Sequence, residues 1–328
     1  MENFLQENIK IQWYRKTTWL WLFYPLSVLF TCLAKIRKIF YQSRAKRYTK
    51  APLWIVGDIT VGGSGKSPFL IWLGNHIVEK GISAVILSHG YKSNLTVAAK
   101  VCGPNDLAYE CGDEAVMLAK NCSLPVVVGK SREASLEFIN KNYSNTSLIL
   151  CDDGLQDYKI IRDKEIVVFR EDRVGNAKCF PVGPLREPLS RLSTVDLVVK
   201  NSSDSNSDMF LEPIALRHLS TNIMHDFTKI QSSKVHAVAG IADPDRFFTL
   251  LEGLGFNIIK HPFPDHYSFT EADLAFSDEL PIILTTKDAV KCTSFEMSKT
   301  YQLEFRVKIS ARTQKIIDSF LESSQSYS

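Results

Sequence analysis

The stretch PLWIVGDITVGGSGKS, residues 52–67, decides how the rest of the chain is interpreted. Its apolar start is followed by a glycine-rich turn ending in Gly-Lys-Ser, and then by a mostly apolar, helix-compatible segment at 68–78. Strand, glycine-rich turn and helix in this order are typical of a phosphate-binding P-loop, where backbone N–H groups and the helix N-terminus surround phosphate oxygens. We therefore expect nucleotide phosphates to bind at Thr60, Val61, Gly62, Gly63, Ser64, Gly65, Lys66 and Ser67.

The motif departs from the consensus G-x-x-x-x-G-K-[ST] at one position, since Thr60 stands where the first glycine is expected. Lys66 would add a positive charge beside the phosphates, and the hydroxyl of Ser67 can bind Mg²⁺. The alternative is a structural turn that only reads like the motif. The strand and helix signals on either side favour the phosphate site.

Composition is that of an ordinary globular protein. The chain has 328 residues, 45% of them apolar and 23% charged, and its net charge of +3 gives no argument for a nucleic-acid partner. The seven cysteines are odd in number and form no C-x-x-C pair. They are typical of reduced, mostly buried thiols in a cytoplasmic protein, and a structural zinc site is not expected.

The N-terminal region differs from the rest. Residues 17–34 contain no charged side chain, basic residues flank them on both sides, and Pro25 would kink a helix there. About 18 residues is near the lower limit for crossing a bilayer. Trp19, Trp21 and Tyr24 suit a membrane interface, and the basic tract up to Lys50 suits anionic headgroups. We expect an interfacial or shallowly inserted helix ahead of a true span, the alternative being a buried helix of a soluble core.

Beyond residue 50, strand and helix signals alternate, which indicates an α/β fold with a mostly parallel P-loop NTPase-type sheet and flanking helices. A polar loop at 201–208 precedes a second, smaller α/β block, and an amphipathic helix is predicted at 311–321. The predicted domains are a membrane-associating segment at 1–48, a P-loop kinase domain at 49–228 and a smaller α/β domain at 229–328. Strands are predicted at 53–56, 84–87, 125–128, 147–150, 165–169, 195–199, 236–240, 256–259 and 282–285, and helices at 68–80, 113–120, 131–140 and 243–254.

Acidic residues follow the predicted elements where a phosphate site would need them. Asp152 and Asp153 come directly after the strand at 147–150, which suits a Mg²⁺-holding role beside a P-loop strand, although an Asp-Asp-Gly turn is the simpler alternative. Asp113 opens a helix, where it could serve as a general base or only as a favourable helix-terminal charge.

Two proline-stiffened turns carry further candidates. Arg186 in GPLREP could clamp a phosphoryl group, although an arginine in a turn usually faces water. His266 in HPFPDHY could exchange a proton, although an exposed loop histidine is the commoner case. The segment TTKD at 285–288 superficially matches the base-reading loop of some P-loop GTPases.

Several segments, in their order along the chain, resemble the tetraacyldisaccharide 4′-kinase family of lipid A biosynthesis. They are VGGSGKSP, GDEA, DDGLQDYKIIRD, GNAKCFPVGPLREP, AGIADPDRFF, FPDHYSFT and TTKDAVKC, so that the resemblance covers nearly the whole chain. The P-loop alone is generic, whereas DDGLQ, GPLREP and DHYSF in this order are specific. The family tolerates Ser or Thr at the position of Thr60.

The resemblance implies a kinase that moves the γ-phosphate of ATP, with Mg²⁺, to the 4′-hydroxyl of a tetraacylated glucosamine disaccharide 1-phosphate. It implies an active site in the cleft between a larger P-loop domain and a smaller α/β domain. It also implies an enzyme at the cytoplasmic face of the inner membrane of a Gram-negative-type bacterium, and we expect a monomer.

The roles that the resemblance implies for single residues fall into three groups. Asp113 would accept the proton of the sugar hydroxyl, paired with His266, while Lys66 and Arg186 would face phosphate. The metal would be organised by Ser67, Asp152, Asp153 and Glu187, and the substrate would be contacted by Tyr91 and Arg132.

Three positions depart from the family pattern. His89 stands where the family has Arg, Ala115 where it has Pro, and Asp157 where it has His, and none of the three belongs to the predicted catalytic residues. The alternative function is a membrane-tethered P-loop GTPase or ATPase switch without a sugar acceptor, which the TTKD segment and the second α/β block motivate.

Overall fold

The computed structural model describes residues 12–15, 19–90, 93–204, 206–227, 234–292, 295 and 298–325. Its first sheet has seven strands in the order β3-β4-β2-β5-β1-β6-β7, and all of them run parallel except β3, which is antiparallel to β4. The strands are β1 Leu53–Gly57, β2 Ala84–Ser88, β3 Ala99–Cys102, β4 Val126–Gly129, β5 Leu148–Asp152, β6 Lys164–Phe169 and β7 Leu197–Lys200.

A second, six-stranded sheet has the order β11-β10-β12-β13-β8-β9. Its strands are β8 Met209–His218, β9 Met224–His225, β10 Lys234–Ala239, β11 Asn257–Pro262, β12 Ile282–Leu284 and β13 Thr300–Ile309. Strands β11, β10, β12 and β13 are parallel, whereas β8 is antiparallel to β13 and β9 is antiparallel to β8. The α/β class and the parallel central sheet are therefore confirmed.

Helices connect the strands and cover the sheets. They are α1 Tyr24–Gln42, α2 Lys66–Glu79, α3 Ala108–Cys111, α4 Asp113–Asn121, α5 Arg132–Asn142, α6 Pro244–Gly253, α7 Glu271–Leu274, α8 Thr286–Ala289 and α9 Ala311–Gln325. Short 3₁₀ segments occupy Trp19–Phe23, Glu171–Arg173 and Leu189–Thr194.

The first sheet buries both faces, as expected for a parallel sheet with crossover helices on each side. One face packs against α2 and α4, and Leu136 and Ile139 of α5 cover the other. All five residues of β1, β2 and β5 are buried. This explains why their short apolar runs were recognisable as strands in the sequence.

The chain crosses between the two sheets in a way that the sequence did not predict. Strand β8 belongs to the second sheet although it lies within the segment assigned to the kinase domain. Helix α9 does the opposite, since Ile317 and Leu321 are part of the hydrophobic core of the first sheet. The division into a larger and a smaller domain stays a prediction, but its single boundary at 228/229 does not describe how these elements are distributed.

Helix α1 presents apolar side chains to the solvent. Together with the preceding 3₁₀ segment it is the one stretch of the described chain, Trp19–Gln42, long and apolar enough to cross a membrane by length and composition. Only 11% of its most apolar window is buried, so it is not a core helix. It is fixed to the protein by Ser27, whose hydroxyl donates to the carbonyl of Cys179 at 2.7 Å, and by Phe30, whose ring contacts that of Phe180.

Candidate active site

The P-loop leaves the carboxyl end of β1 and forms the N-terminus of α2. Gly62 and Gly65 have φ values of 112° and 96°, in the left-handed region that glycine adopts most easily. A Cβ on Gly65 would lie 2.3 Å from the amide nitrogen of Asn201, which donates to the carbonyl of Ser64. Thr60 instead forms an antiparallel bridge with Leu185, and such extended backbone does not require the consensus glycine.

That bridge brings the GPLREP turn to the P-loop. The N–H of Val61 donates to the carbonyl of Pro184, and the N–H of Arg186 donates to the carbonyl of Ile59. The structure therefore places Arg186 beside the P-loop, although 127 positions separate Ile59 from Arg186 in the sequence.

Charged side chains form a network around Lys66. Its ammonium lies 2.6 Å from Asp58 Oδ2 and 3.4 Å from Asp153 Oδ1, and Arg186 contacts both oxygens of Asp153 at 3.1 Å. Burial opposes the charge of Lys66, but the two carboxylates outweigh burial and raise its pKa. Burial likewise opposes the charge of Asp153, and Lys66 with Arg186 holds the pKa of that carboxyl below its usual range. Lys66, Arg186 and Asp153 therefore stay ionised at neutral pH.

Asp152 lies at the end of β5, beside the P-loop strand, and is 3% exposed. Its Oδ1 has no hydrogen-bond partner among the described residues. Burial, followed by the neighbouring charges of Glu114 and Asp153, raises the pKa of Asp152 to about 8. A buried carboxylate oxygen without a donor, next to a second carboxylate, fits Mg²⁺, which prefers hard oxygen ligands.

A second cluster joins the two sheets. Asp113, at the start of α4, accepts a hydrogen bond from Nδ1 of His266 at 2.9 Å, and His266 belongs to the loop after β11. Lys287, at the start of α8, lies 3.2 Å from Nε2 of His266 and 3.3 Å from Glu114. Because an ammonium can only donate, Nε2 is the acceptor and Nδ1 carries the proton that His266 donates to Asp113.

The charges around Asp113 keep it ionised. Burial raises its pKa, but the hydrogen bond from His266 and the positive charges of Lys287 and Lys291 together lower it below the usual value. The other carboxylate oxygen, Oδ1, accepts the N–H of Glu114 at 3.1 Å and keeps a lone pair that can accept a further hydrogen bond. The arrangement provides an ionised carboxylate whose orientation is fixed by a histidine, as a general base requires.

Two other predicted site residues, Arg132 and Glu187, form hydrogen bonds with other groups of the protein. Arg132 donates to the carbonyls of Asp152 and Asp153 and pairs with Asp157, so its guanidinium supports the turn that carries the two acids. The hydroxyl of Tyr158 donates to one oxygen of Glu187. Gln156 donates to the other oxygen of Glu187 at 3.0 Å.

These contacts differ from the open orientations expected for two of the predicted residues. Arg132 was expected to face substrate phosphate and Glu187 to face a metal, and each is engaged by protein groups here. The roles of both residues stay predictions. Tyr91, predicted to contact substrate, lies outside the described residues.

The interpretation of TTKD as a base-reading loop is wrong. Asp288 is fully buried, and its carboxylate accepts the N–H of Gly240 and the hydroxyl of Thr285. No part of that carboxylate is open to read a base. The segment instead positions Lys287 beside His266.

Sequence reasoning missed Asp58, Asn201 and the role of Lys287. Asp58 directly follows the buried strand β1, as Asp153 follows β5, and this signal could have identified it. Asn201 opens the polar run that was interpreted as a linker. Its contact with the P-loop depends on the pairing of β6 with β7, for which the local sequence holds no signal.

Comparison with known proteins agrees with the site. The model of the family described as tetraacyldisaccharide-1-P 4′-kinase matches residues 19–323. The tetraacyldisaccharide 4′-kinase of Nitrosococcus oceani is 40% identical over 304 residues, covering 91% of this chain and 90% of the relative. That of Methylobacillus flagellatus is 39% identical, covering 93% of both chains.

A solved structure shows the same architecture. The "apo" form of LpxK from Aquifex aeolicus, in complex with ATP, superposes with a TM-score of 0.77 at 25% identity, covering 92% of this chain and 99% of that chain. The chain belongs to the tetraacyldisaccharide 4′-kinase family.

Proposed function

We propose that this protein transfers the γ-phosphate of ATP to the 4′-hydroxyl of a tetraacylated glucosamine disaccharide 1-phosphate, a step of lipid A biosynthesis. Family membership supports the reaction and the substrate class. The observation that carries the proposal is the Asp113–His266 pair, which lies at the P-loop end of the first sheet and is completed by a loop of the second sheet. A nucleotide switch needs a water-positioning group, whereas an alcohol kinase needs a base for its acceptor.

Asp113 acts as the general base in this proposal. The acceptor hydroxyl binds at Oδ1 and gives up its proton to the carboxylate as the bond to phosphorus forms. The Nδ1–H of His266 holds the other oxygen, and Lys287 at Nε2 fixes the tautomer that makes this possible. The positive charge near the pair keeps the carboxylate ready to accept a proton at neutral pH.

The P-loop residues neutralise the charge of the phosphates. Lys66 and Arg186 provide fixed cations, and their contacts with Asp153 hold them in place before nucleotide binds. Ser67, Asp152 and Asp153 would hold Mg²⁺, which when bound neutralises the phosphate oxygens. Glu187 would reach this set only after leaving Tyr158 and Gln156.

We also propose that α1 attaches the enzyme to the cytoplasmic face of the inner membrane. The exposed apolar side chains of Trp19–Gln42 and the lysines and arginines that follow them support this location. A lipid substrate lies in the same surface, so attachment raises its local concentration at the active site. We propose that the enzyme acts as a monomer.

A transfer assay tests the function directly. Purified protein is incubated with γ-labelled ATP and Mg²⁺ in detergent micelles, with and without the acylated disaccharide 1-phosphate. We expect labelled lipid only when the acceptor is present. Label released as inorganic phosphate at the same rate in both samples, without labelled lipid, would contradict the proposal and support the nucleotide switch.

The substitution Asp113→Ala tests the proposed base. We expect the transfer rate to fall by about 10²- to 10⁴-fold, the usual contribution of a general base, while ATP affinity stays within about twofold. The matched control is Glu133→Ala, which removes an acid from the first turn of α5 instead of α4. A parallel loss of ATP affinity in Asp113→Ala would show that Asp113 binds the metal or the nucleotide.

A further inference from the structure

Two cysteines and an aspartate that play no part in the proposed reaction meet at the edge of the first sheet. Cys102 ends β3, Cys111 ends α3, and Asp106 lies in the turn between them. One ligand atom from each residue, the two Sγ atoms and a carboxylate oxygen, lies within 4.8 Å of the others. The nine-residue spacing of the two cysteines hides this group in the sequence, because it matches no C-x-x-C pattern.

The side chains of this Cys102/Asp106/Cys111 cluster are already oriented toward one another. Both thiols are buried, whereas the side chain of Asp106 is 31% exposed and opens the cluster to solvent on one side. Asp106 Oδ2 accepts the Sγ–H of Cys111 at 3.2 Å and the N–H of Gly103 at 3.2 Å. The carboxylate is therefore already turned toward the thiols.

Charge balance is also favourable. Two thiolates and a carboxylate carry three negative charges, and a divalent cation would leave one of them uncompensated. Lys100 lies 3.3 Å from Asp106 Oδ2 and also 3.3 Å from Glu110 Oε2, so it supplies positive charge beside the ligand set but shares that charge with Glu110. Hydrogen bonds of this kind to a ligating carboxylate orient it and stabilise the bound ion.

We propose that Cys102, Asp106 and Cys111 bind a thiophilic divalent cation of the Zn²⁺ type, with water as the fourth ligand on the exposed side. Thiolate and carboxylate ligands in a tetrahedral set suit Zn²⁺, whereas the oxygen-rich P-loop site suits Mg²⁺. Binding releases the two thiol protons to solvent, so the site fills more readily as pH rises.

An ion bound at this cluster would lie two residues along the chain from the proposed base, Asp113. Cys111 is joined through Gly112, whose φ is 90°, directly to Asp113. An ion that ties the end of α3 to the end of β3 fixes the backbone from which Asp113 extends. The cation would thus act as a positioning element for the proposed base and would not contact the substrate.

The test uses the full chain, reduced and stripped of metal with a chelator, and titrated with Co²⁺ in the absence of nucleotide. We expect one Co²⁺ per chain with a thiolate-to-cobalt charge-transfer band in the near ultraviolet, and Zn²⁺ should displace it. Cys102→Ser and Cys111→Ser should each weaken Co²⁺ binding at least tenfold and reduce the band. The matched control is Cys122→Ser, which removes a buried thiol from the same hydrophobic core outside the cluster.

Asp106→Asn provides a second variant that leaves both buried thiols in place, should the serine variants fail to fold. It should weaken Co²⁺ binding at least tenfold while the residual bound Co²⁺ keeps its charge-transfer band. The proposal is overturned if the reduced wild-type chain shows no such band, or if Cys102→Ser and Cys111→Ser bind Co²⁺ as the wild type does. It is also overturned if counting of free thiols shows that Cys102 and Cys111 form a disulfide in the presence of the metal ion.

Discussion

Asp152 is a buried carboxyl group whose ionised form is destabilised by its surroundings. Its side chain lies among the carboxylates of Asp153 and Glu114, and burial adds to their effect in raising its pKa to about 8. Near neutral pH the folded protein therefore holds a proton on Asp152 that the unfolded chain, with an aspartate pKa of about 3.9, has lost. This proton uptake lowers the free energy of unfolding near neutral pH, and a cation bound beside Asp152 would favour the ionised carboxylate and remove that cost.

The substitution Asp152→Asn should stabilise the nucleotide-free protein, and more so at higher pH. The loss of stability caused by Asp152 is absent below about pH 4 and grows as the pH rises toward 8. The free energy of unfolding falls with pH wherever the folded state binds more protons than the unfolded state. We expect the stabilisation at pH 8 to exceed that at pH 5 by on the order of 4 kcal/mol. Denaturant unfolding at both pH values without Mg²⁺ measures it.

The control for this experiment is Glu322→Gln on the exposed side of α9, which removes a carboxylate without changing the buried cluster. Its effect on stability should be the same at both pH values. An Asp152→Asn effect that does not change with pH would mean that Asp152 is ionised in the folded protein at neutral pH.

At the residue scale, the sequence revealed the site only in part. The P-loop and the acids at 152 and 153 follow directly from local patterns, since each comes at the end of a buried strand. The Asp113–His266 pair could not be predicted in this way, because 153 positions separate its members and the contact depends on how the second sheet meets the first. Only the resemblance to a family predicted that pair.

At the scale of elements, α1 is the part of the protein whose exposed surface is least compatible with water. Leu22, Leu26, Leu29, Leu33 and Ile36 recur at intervals of three or four residues and are all exposed. Residues at this spacing share one face of a helix. The opposite side is held by the segment around Cys179 and Phe180, so the apolar face is fixed in its direction.

The double substitution Leu26→Glu and Leu33→Glu should weaken binding to vesicles that contain anionic lipid, because it places two charges on the apolar face. We expect at least a tenfold loss in sedimentation with vesicles and a melting temperature within about 2 °C of the wild type, since neither side chain is buried.

An Ile223→Glu variant is the control, because Ile223 is also exposed but lies at the second sheet. It should bind vesicles as the wild type does. Equal binding by the Leu26→Glu, Leu33→Glu variant would contradict the proposed role of α1.

Strands that are buried along their whole length were predicted well, whereas strands that combine buried and exposed residues were not. The buried strands of the first sheet stand out as apolar runs, and their positions agree with the structure to within one or two residues. Strand β13 mixes buried residues with the partly exposed Glu304 and the exposed Arg306, and Pro213 lies within β8. Neither gives the apolar run by which a strand is recognised, so both were missed.

At the scale of the whole molecule, helix α9 brings the last part of the described chain to the P-loop strand of the first sheet. Helix α9 packs on the first sheet, where Phe320 contacts the ring of Trp54 in β1 and Asp318 pairs with His76 in α2 at 2.7 Å. The P-loop strand is therefore covered by residues from the last part of the chain.

Leu321→Ala should destabilise the protein by about 2–5 kcal/mol, the usual cost of truncating a buried leucine in a packed core. Leu22→Ala on the exposed face of the N-terminal segment is the control and should change stability by less than about 0.5 kcal/mol. Denaturant unfolding followed by tryptophan fluorescence compares them. Equal stability of the two variants would show that α9 is not part of the core that supports the P-loop.

The packing of α9 also sets the order in which the protein can mature during synthesis. Helix α1 precedes β1 in the chain and therefore emerges from the ribosome before the P-loop does. Strand β1 and its P-loop follow early, yet the core beneath them is completed only when Ile317 and Leu321 have emerged. The core that supports the P-loop is thus completed by the part of the described chain that is synthesised last.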